Sequence, residues 1–386
     1  SGGPPGDAEA SAFRTAEHVR VLCVLGKSPV PDKTGSRRRI LRLIEAIDRH
    51  PDSEALIVIV SDVLDPVDRE ALDELSVPSR VIRPPRRRAT AGDVARWVTA
   101  RSLPFSWRNT DVDAVRRSLA ALSREWAPDV VWCASAIVAD AVGAGRLPSS
   151  WDPARPVPLA VDAAHVERDA IDSQLGAAAR SVRHDPAQLR RVGMLALDRG
   201  SRVATERRAF AASSLVTACS DIEAAAARRT AGGRAVVVPN GVDLPDRLGW
   251  TPANRRLLFV GNLDYAPNLE ALRRLAGDVL PKLRQHDPSI VLHVVGPGSE
   301  RLDDLSTQPG VEVSGYVPDL AVAYAGASLV LAPIRSGSGT KVKVLEAMAH
   351  GVPVVTTPTG VAGIDVVGGR EVSIAEHDDD LVAAAV

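Results

Sequence analysis

Short apolar runs, rich in β-branched residues and separated by stretches of helical period, constrain this chain more than any other feature. Val19–Leu25 reads VRVLCVL and stops at Gly26, and residues 55–60 read ALIVIV without a polar break. A strand lacking polar alternation is covered on both faces, the pattern of a parallel sheet between helices. Between the two runs, Ile40, Leu43, Ile44 and Ile47 recur at helical spacing within 37–50. Strands are predicted again at 128–133, 157–161 and 214–219, with helical stretches between them. Strands that alternate with helices make a parallel α/β sheet.

Residues 239–254 (PNGVDLPDRLGWTPAN) are turn-rich and lack hydrophobic periodicity, so the linker is expected there. A second series follows: a strand at Arg256–Val260, a helix over 268–285, strands at 290–295 and 311–313, and a short helix near 319–325. It continues with a strand at 328–332, a Gly-rich loop, a helix over 341–350 and a strand at 353–356. The expected organisation is two Rossmann-like units, 17–238 and 255–386, after a tail at 1–16 that reads as disordered or as a cloning remnant. At roughly 150 residues per domain, 386 residues suit two domains.

Composition narrows the function. No apolar run approaches the roughly 20 residues needed to cross a bilayer. The first 16 residues lack an apolar core, so a secretory signal is not visible. Cys23, Cys133 and Cys219 are too dispersed for a zinc site or a disulfide framework, which makes a reducing cytoplasm the expected location. A formal charge of −1 argues against a nucleic-acid partner. That charge is split, about +4 up to residue 215 and about −5 after it. Within 80–117 arginine dominates (Arg83, Arg86, Arg87, Arg88, Arg96, Arg101, Arg108), interleaved with Trp97, Phe105 and Trp107. This stretch reads either as a solvated arginine-rich surface or as a face for an anionic acceptor or membrane.

The strongest local signal is PIRSGSGTKVKVLEAMAHG at 333–351. A strand ends at Pro333, Gly337 and Gly339 free the backbone, and Thr340 stands where a helix cap is needed. Exposed N–H groups at a helix start bind anions, and glycines let a phosphate approach closely. The chain has 42 arginines and only five lysines, yet Lys341 and Lys343 both fall in the first turn of this helix. Cations there oppose the helix dipole by up to about 1 kcal/mol, a sign that a bound diphosphate reverses. Glu346, three residues after Lys343, can accept both hydroxyls of a ribose or pair with Lys343.

Two N-terminal segments carry weaker signals. SPVPDKTGSRRR at 28–39 matches neither a dinucleotide fingerprint nor a P-loop, although Gly35 and Ser36 at its helix start can face a phosphate. DAAHVE at 162–167 follows a strand, where the crevice of an α/β sheet lies. His165 there can touch a sugar or move a proton, or can be an ordinary hydrogen-bonding residue.

VVPNGVD at 237–243, FVGNLDYAPN at 259–268, GVEVSGYVPDL at 310–320 and SGSGTKVKVLEAMAHGVPVVTT at 336–357 occur in that order. Together they resemble the retaining GT4-type glycosyltransferases (glycosyl transferases group 1) with the GT-B fold. The resemblance is dense over about 235–365 and looser before it. It implies α/β architecture with two facing Rossmann-like domains and a nucleotide-sugar donor carrying UDP, GDP or dTDP. The base is implied near Tyr316 and Val317, the ribose on Glu346, and the diphosphate on the backbone of Gly337, Ser338, Gly339 and Thr340 with Lys343. Asn240, Gly261 and Asn262 are implied as donor neighbours, Gly35 and Ser36 as the opposing loop, and Lys343, Arg335 and His165 as the catalytic set. No cofactor or metal is implied, because the lysine and helix dipole stabilise the leaving diphosphate. The acceptor, a small molecule, a glycan or a lipid-linked group, is left open, as is peripheral contact with the inner membrane face. A nucleotide-sugar epimerase, a phosphorylase and a non-catalytic sugar-nucleotide binder on the same fold remain as alternatives.

Three departures from the pattern stand out. The family's paired-glutamate motif has Ser338 at its first position, so contacts to the sugar hydroxyls fall to backbone N–H groups. The Arg and Lys usual after the first C-terminal strand are missing, with Asn262 and Asn268 nearby, which leaves the phosphate charge to Arg335 or Lys341. His165 is two rather than three residues before Glu167.

Overall fold

The computed structural model describes residues 18–31, 34–99, 104–143, 147, 156–182, 188–246, 249–250, 255–298 and 302–386. The tail at 1–16, Arg101, and 247–248 and 251–254 of the expected linker lie outside the described residues.

The chain first runs β1 (Val19–Leu25), α1 (Gly35–Asp48), β2 (Ser53–Val60), α2 (Pro66–Asp73), β3 (Ser79–Ile82), α3 (Ala91–Val98) and α4 (Val112–Trp126). It continues β4 (Val130–Cys133), α5 (Ala136–Val142), β5 (Leu159–Ala163), α6 (Glu167–Ser181), α7 (Gln188–Ala212), β6 (Leu215–Ala218), α8 (Asp221–Ala231) and β7 (Ala235–Val237). These strands form a seven-stranded sheet in the order β3-β2-β1-β4-β5-β6-β7. The central pairings are parallel, with Cys23 opposite both Ile57 and Trp132. Leu22 to Leu25 and Ala55 to Val60 are buried throughout, as unbroken apolar strands must be.

The second series is β8 (Arg256–Val260), α9 (Ala266–Arg274), α10 (Leu280–His286), β9 (Val291–Val295), α11 (Asp303–Ser306), β10 (Val311–Gly315) and α12 (Ala321–Ala325). It ends with β11 (Leu329–Ala332), α13 (Val342–Ala349), β12 (Val354–Thr356), β13 (Ser373–Ile374) and α14 (Asp378–Ala385). The strands form a parallel six-stranded sheet ordered β10-β9-β8-β11-β12-β13. Alternate residues of β8 serve opposite faces: Leu257 and Phe259 enter one apolar cluster, Leu258 and Val260 the other.

The helix expected over 268–285 is interrupted. Leu275–Val279 forms one π-helical turn in which Leu280 N–H bonds Leu275 O. Pro281, just inside α10, has no N–H, and its ring crowds the carbonyl four residues back, at Gly277. Widening the turn resolves that clash without ending the helix.

By tertiary contacts the described residues divide into two compact units, one within 1–88, 109–162 and 212–215, the other within 89–108, 163–211 and 216–386. In the first, the guanidinium of Arg39 on α1 grips the carboxylate of Asp162 on β5 through bonds of 2.8 and 3.0 Å, both residues being buried. In the same unit Arg86 pairs with Asp62 at 2.5 Å and Arg87 N–H bonds Asn109 O. In the second unit Trp97 is buried and donates through Nε1 to Asp198 Oδ1 at 2.8 Å, so it is a packing residue.

Candidate functional site

All the residues of this site lie in the second unit. The loop between β11 and α13 is its centre. Ile334 is buried behind β11, and α13 opens at Lys341, an N-cap residue with no side-chain capping bond. Neither acidic residue nor capping oxygen stands in that first turn, so the positive end of the helix is compensated only from elsewhere.

Two ammonium groups crowd this end. Lys341 Nζ turns back onto its own loop, donating to the carbonyls of Gly337, Ser338 and Gly339 at 3.1, 3.4 and 2.6 Å. Lys343 Nζ donates to Asn268 Oδ1 at 2.7 Å and lies 4.8 Å from the centre of the Phe259 ring, a cation–π contact. Burial pulls both amines down, Lys341 to about 8 and Lys343 to about 7, and the charge of Lys341 adds to the fall at Lys343. Glu346 works in the opposite sense on Lys343. An amine that holds its proton only up to neutrality, at a helix N-terminus, is strained in charge and gains from any anion that arrives.

Glycine makes room for this arrangement. A Cβ at Gly261 would lie 3.0 Å from both Asn268 and Lys343 Nζ, so any larger residue would push into the lysine's seat. Gly339 has φ +70°, and a Cβ there would meet Ala164 O at 2.7 Å.

The loop is also held by side chains from the first sheet's later helices. Gly337 N–H donates to Ser173 Oγ of α6, and Gly339 N–H to Glu223 Oε1 of α8 at 2.8 Å. Asn240 Nδ2 donates to Thr340 Oγ1, and Ser336 Oγ to Glu270 Oε2 at 3.0 Å. Arg180 clamps the same Glu270 with bonds of 2.5 and 3.0 Å.

The remaining expected residues fall in several places. Glu346, partly buried on α13, accepts from Tyr324 Oη at 3.2 Å, and the Tyr324 ring stacks on His350 at 4.8 Å. Tyr316 is half-exposed after β10, and Val317 packs against the apolar cluster beneath it. Asn262 Oδ1 accepts from Asp264 N–H at 2.9 Å, which makes it a turn former, while Asn268 holds the lysine. Arg335 lies 3.8 Å from Asp378 at the start of α14, a carboxylate shared with Arg274. Gly35 and Ser36 open α1 in the other unit, capped by Thr34.

His165, in the turn before α6, lies 3.6 Å from Glu167. Desolvation opposes its charge, but the hydrogen bond and charge of Glu167, with the charge of Glu206, outweigh it and raise the ring above its ordinary value. Glu167 is bound by Arg202 at 3.2 Å, and its N–H donates to Glu206. Burial pushes the Glu206 carboxyl up to about 7. A buried, partly protonated acid thus sits one hydrogen bond from the turn that carries His165.

Four of the residues holding the loop were not visible in the sequence as site residues: Ser173, Glu223, Glu270 and Ser336. Glu223 had a signal that pointed elsewhere, since Ser220 and Glu223 at the start of α8 have the spacing of a local capping box.

The part of the chain that carries this loop is similar to known proteins. Residues 254–386 match the family model described as glycosyl transferases group 1. A Klebsiella pneumoniae protein, described as an uncharacterized 44.6 kDa protein in the cps region, is 28% identical over 134 residues, 32% of this chain and 34% of that protein. The UDP-N-acetylglucosamine–N-acetylmuramyl-(pentapeptide) pyrophosphoryl-undecaprenol N-acetylglucosamine transferase of Cutibacterium acnes is 42% identical over 72 residues, 18% of each chain. The matches thus span about a third or less of these curated relatives' length.

Solved structures match over nearly the whole chain. Anabaena Alr3699/HepE, crystallised with UDP and glucose, superposes with a TM-score of 0.57 at 19% identity, covering 95% of this chain and 89% of that one. WaaG, a glycosyltransferase of lipopolysaccharide biosynthesis, gives 0.56 at 15% identity with the same coverage. Residues 254–386 therefore form a glycosyl transferases group 1 domain, and the chain has the two-sheet α/β architecture of the GT-B glycosyltransferases.

Proposed function

We propose that the protein transfers a sugar from a nucleoside-diphosphate sugar, a UDP-sugar before GDP or dTDP donors, to an acceptor with retention of configuration. The observation that carries this reading is Lys343: a partly buried amine drawn down to about 7 by desolvation, seated by Asn268 in the first turn of α13. The choice of UDP draws support from Alr3699/HepE, whose structures hold UDP and UDP-glucose.

In this reading the diphosphate lies against the first turn of α13, where Lys343 and the helix dipole take its charge. The Gly337 and Gly339 amides already bond Ser173 and Glu223, so the transferred sugar rather than the diphosphate faces that part of the loop. Glu346 accepts the ribose hydroxyls, and the base lies by Tyr316 and Val317. Lys343 and the dipole supply the positive charge that a departing diphosphate needs, so the reaction is expected to run without a divalent metal. Retention follows from attack on the face the diphosphate leaves, with the leaving phosphate helping to remove the acceptor's proton. In the same reading His165, which lies 3.6 Å from Glu167, meets a sugar hydroxyl.

The test is direct. UDP-, GDP- and dTDP-sugars are screened for thermal stabilisation, where a donor at 100 times its dissociation constant adds about 2.7 kcal/mol. Slow hydrolysis of the stabilising donor in the presence of a chelator, with the released sugar keeping its anomeric configuration by NMR, is the expected result. Failure of all three nucleotide classes to stabilise the protein would overturn the reading. Recovery of an isomerised sugar nucleotide would replace transfer by epimerisation.

A further inference from the structure

The loop amide that the sequence offers to a sugar hydroxyl is already engaged by a carboxylate. Gly339 N–H donates to Glu223 Oε1 at 2.8 Å, and Oε2 of the same group accepts the Ser220 hydroxyl. Glu223 is only 7% exposed. A capping-box glutamate would turn back to the N–H of its own N-cap residue. This one instead reaches a residue 116 positions further along the chain. The close approach is built from both sides, since Gly339 lacks the Cβ that would strike Ala164 O at 2.7 Å. Cys219, next to Ser220, donates to the same Ala164 carbonyl at 3.1 Å.

Chemically, the bond inverts what the loop presents. A bare glycine N–H offers a hydrogen and suits an acceptor. With Glu223 on it, the position offers lone pairs and a negative charge. An ionised carboxylate has about four acceptor sites, and two donors leave roughly two for a ligand. Lys341 lies within charge range of Glu223, but its ammonium is committed to three loop carbonyls.

We infer that Glu223 is a specificity-determining residue of the donor site, accepting hydroxyls of a neutral transferred sugar and excluding sugars that carry a carboxylate. The inference rests on the donor reading above, which places the sugar beside 337–339 and the diphosphate further on, at α13. A uronate brought against Glu223 would set two carboxylates together, and like charges in a partly desolvated site repel.

The experiment compares UDP, UDP-glucose and UDP-glucuronate by calorimetric titration of the full chain and of Glu223→Gln and Glu223→Ala. The wild type is expected to bind UDP-glucose about tenfold or more tightly than UDP-glucuronate. Glu223→Gln keeps an oxygen for Gly339 and loses the charge, so the preference should shrink to about threefold or less. Glu223→Ala should weaken UDP-glucose and leave UDP itself within about twofold. Circular dichroism checks that both variants fold. If UDP binds and the neutral-over-acidic preference is unchanged in Glu223→Gln, the inference falls and the donor reading stands. If UDP alone tightens as much as UDP-glucose, Glu223 is a competitor for the phosphate and the inference is again wrong. If no nucleotide binds the wild type, the donor reading itself fails and takes the inference with it.

Discussion

In the proposed reading, Lys343 is the amine that meets the donor's diphosphate. Removing it should cost donor affinity or turnover about 2–4 kcal/mol, the size of a charge-assisted contact or transition-state stabiliser. Folding should suffer little, because a desolvated amine leaves with it; kcat/KM and urea unfolding of Lys343→Ala measure the two. The lowered value gives a pH prediction. Free Lys343 is largely neutral above about 7, while a bound diphosphate favours the ammonium, so binding takes up a proton. UDP affinity should therefore fall as pH rises from 7 to 9, and calorimetry at pH 8 in buffers of different ionisation enthalpy should register proton uptake. Glu346→Gln should weaken a UDP-sugar much more than its 2′-deoxy analogue; equal losses would make Glu346 a structural partner of Lys343 and Tyr324 instead. Lys343 and Glu346 were legible because lysine is scarce here and both fall on one short helix. Asn268 and Glu223 act across 75 and 116 residues of chain, and no local pattern encodes such contacts.

Elements were legible in proportion to their length and burial. β1, β2, β8 and β9 are predominantly apolar and largely buried, and the structure places them within one or two residues of the expected bounds. β3, with two polar residues in four, and β13, with two residues in all, carry too little hydrophobic signal to be read alone. β7, only three residues long, was absorbed into the approach to the expected linker. The π turn at 275–279 escaped because the helical period of 268–285 runs on through Pro281, and the period alone does not show how that ring is accommodated. Two glycine substitutions separate loop from helix. Gly339→Ala forces φ +70° on an L-residue against Ala164 O, so it should lower stability by about 1–3 kcal/mol and impair turnover. Gly193→Ala, within α7 and with nothing within 4 Å of the added Cβ, should instead raise stability by up to about 1 kcal/mol. Urea midpoints of the two variants should move in opposite directions.

For the molecule as a whole, the response of stability to pH tests whether buried acids have been read correctly. Glu206 keeps its proton to about 7 when folded but only to about 4.5 when unfolded, because burial penalises its charge. Between those values the folded chain binds more protons than the unfolded one, so this group's contribution falls as pH rises and is lost above about 7. His165, also raised, acts in the same direction over the range just above its ordinary value of 6.5. Arg202 binds Glu167 and Asp198 at 3.2 and 2.8 Å, so the acid sits within a network that stays charged as Glu206 titrates. Glu206→Gln preserves an oxygen for the Glu167 N–H and removes the titration. The variant should therefore gain on the wild type between pH 5 and pH 8, by about 2–3 kcal/mol at most. His165→Ala, measured in parallel, separates the histidine's share. Urea unfolding at pH 5, 6, 7 and 8 reads the difference, and a wild-type-to-variant gap that does not change with pH would mean Glu206 is ionised in the folded chain throughout.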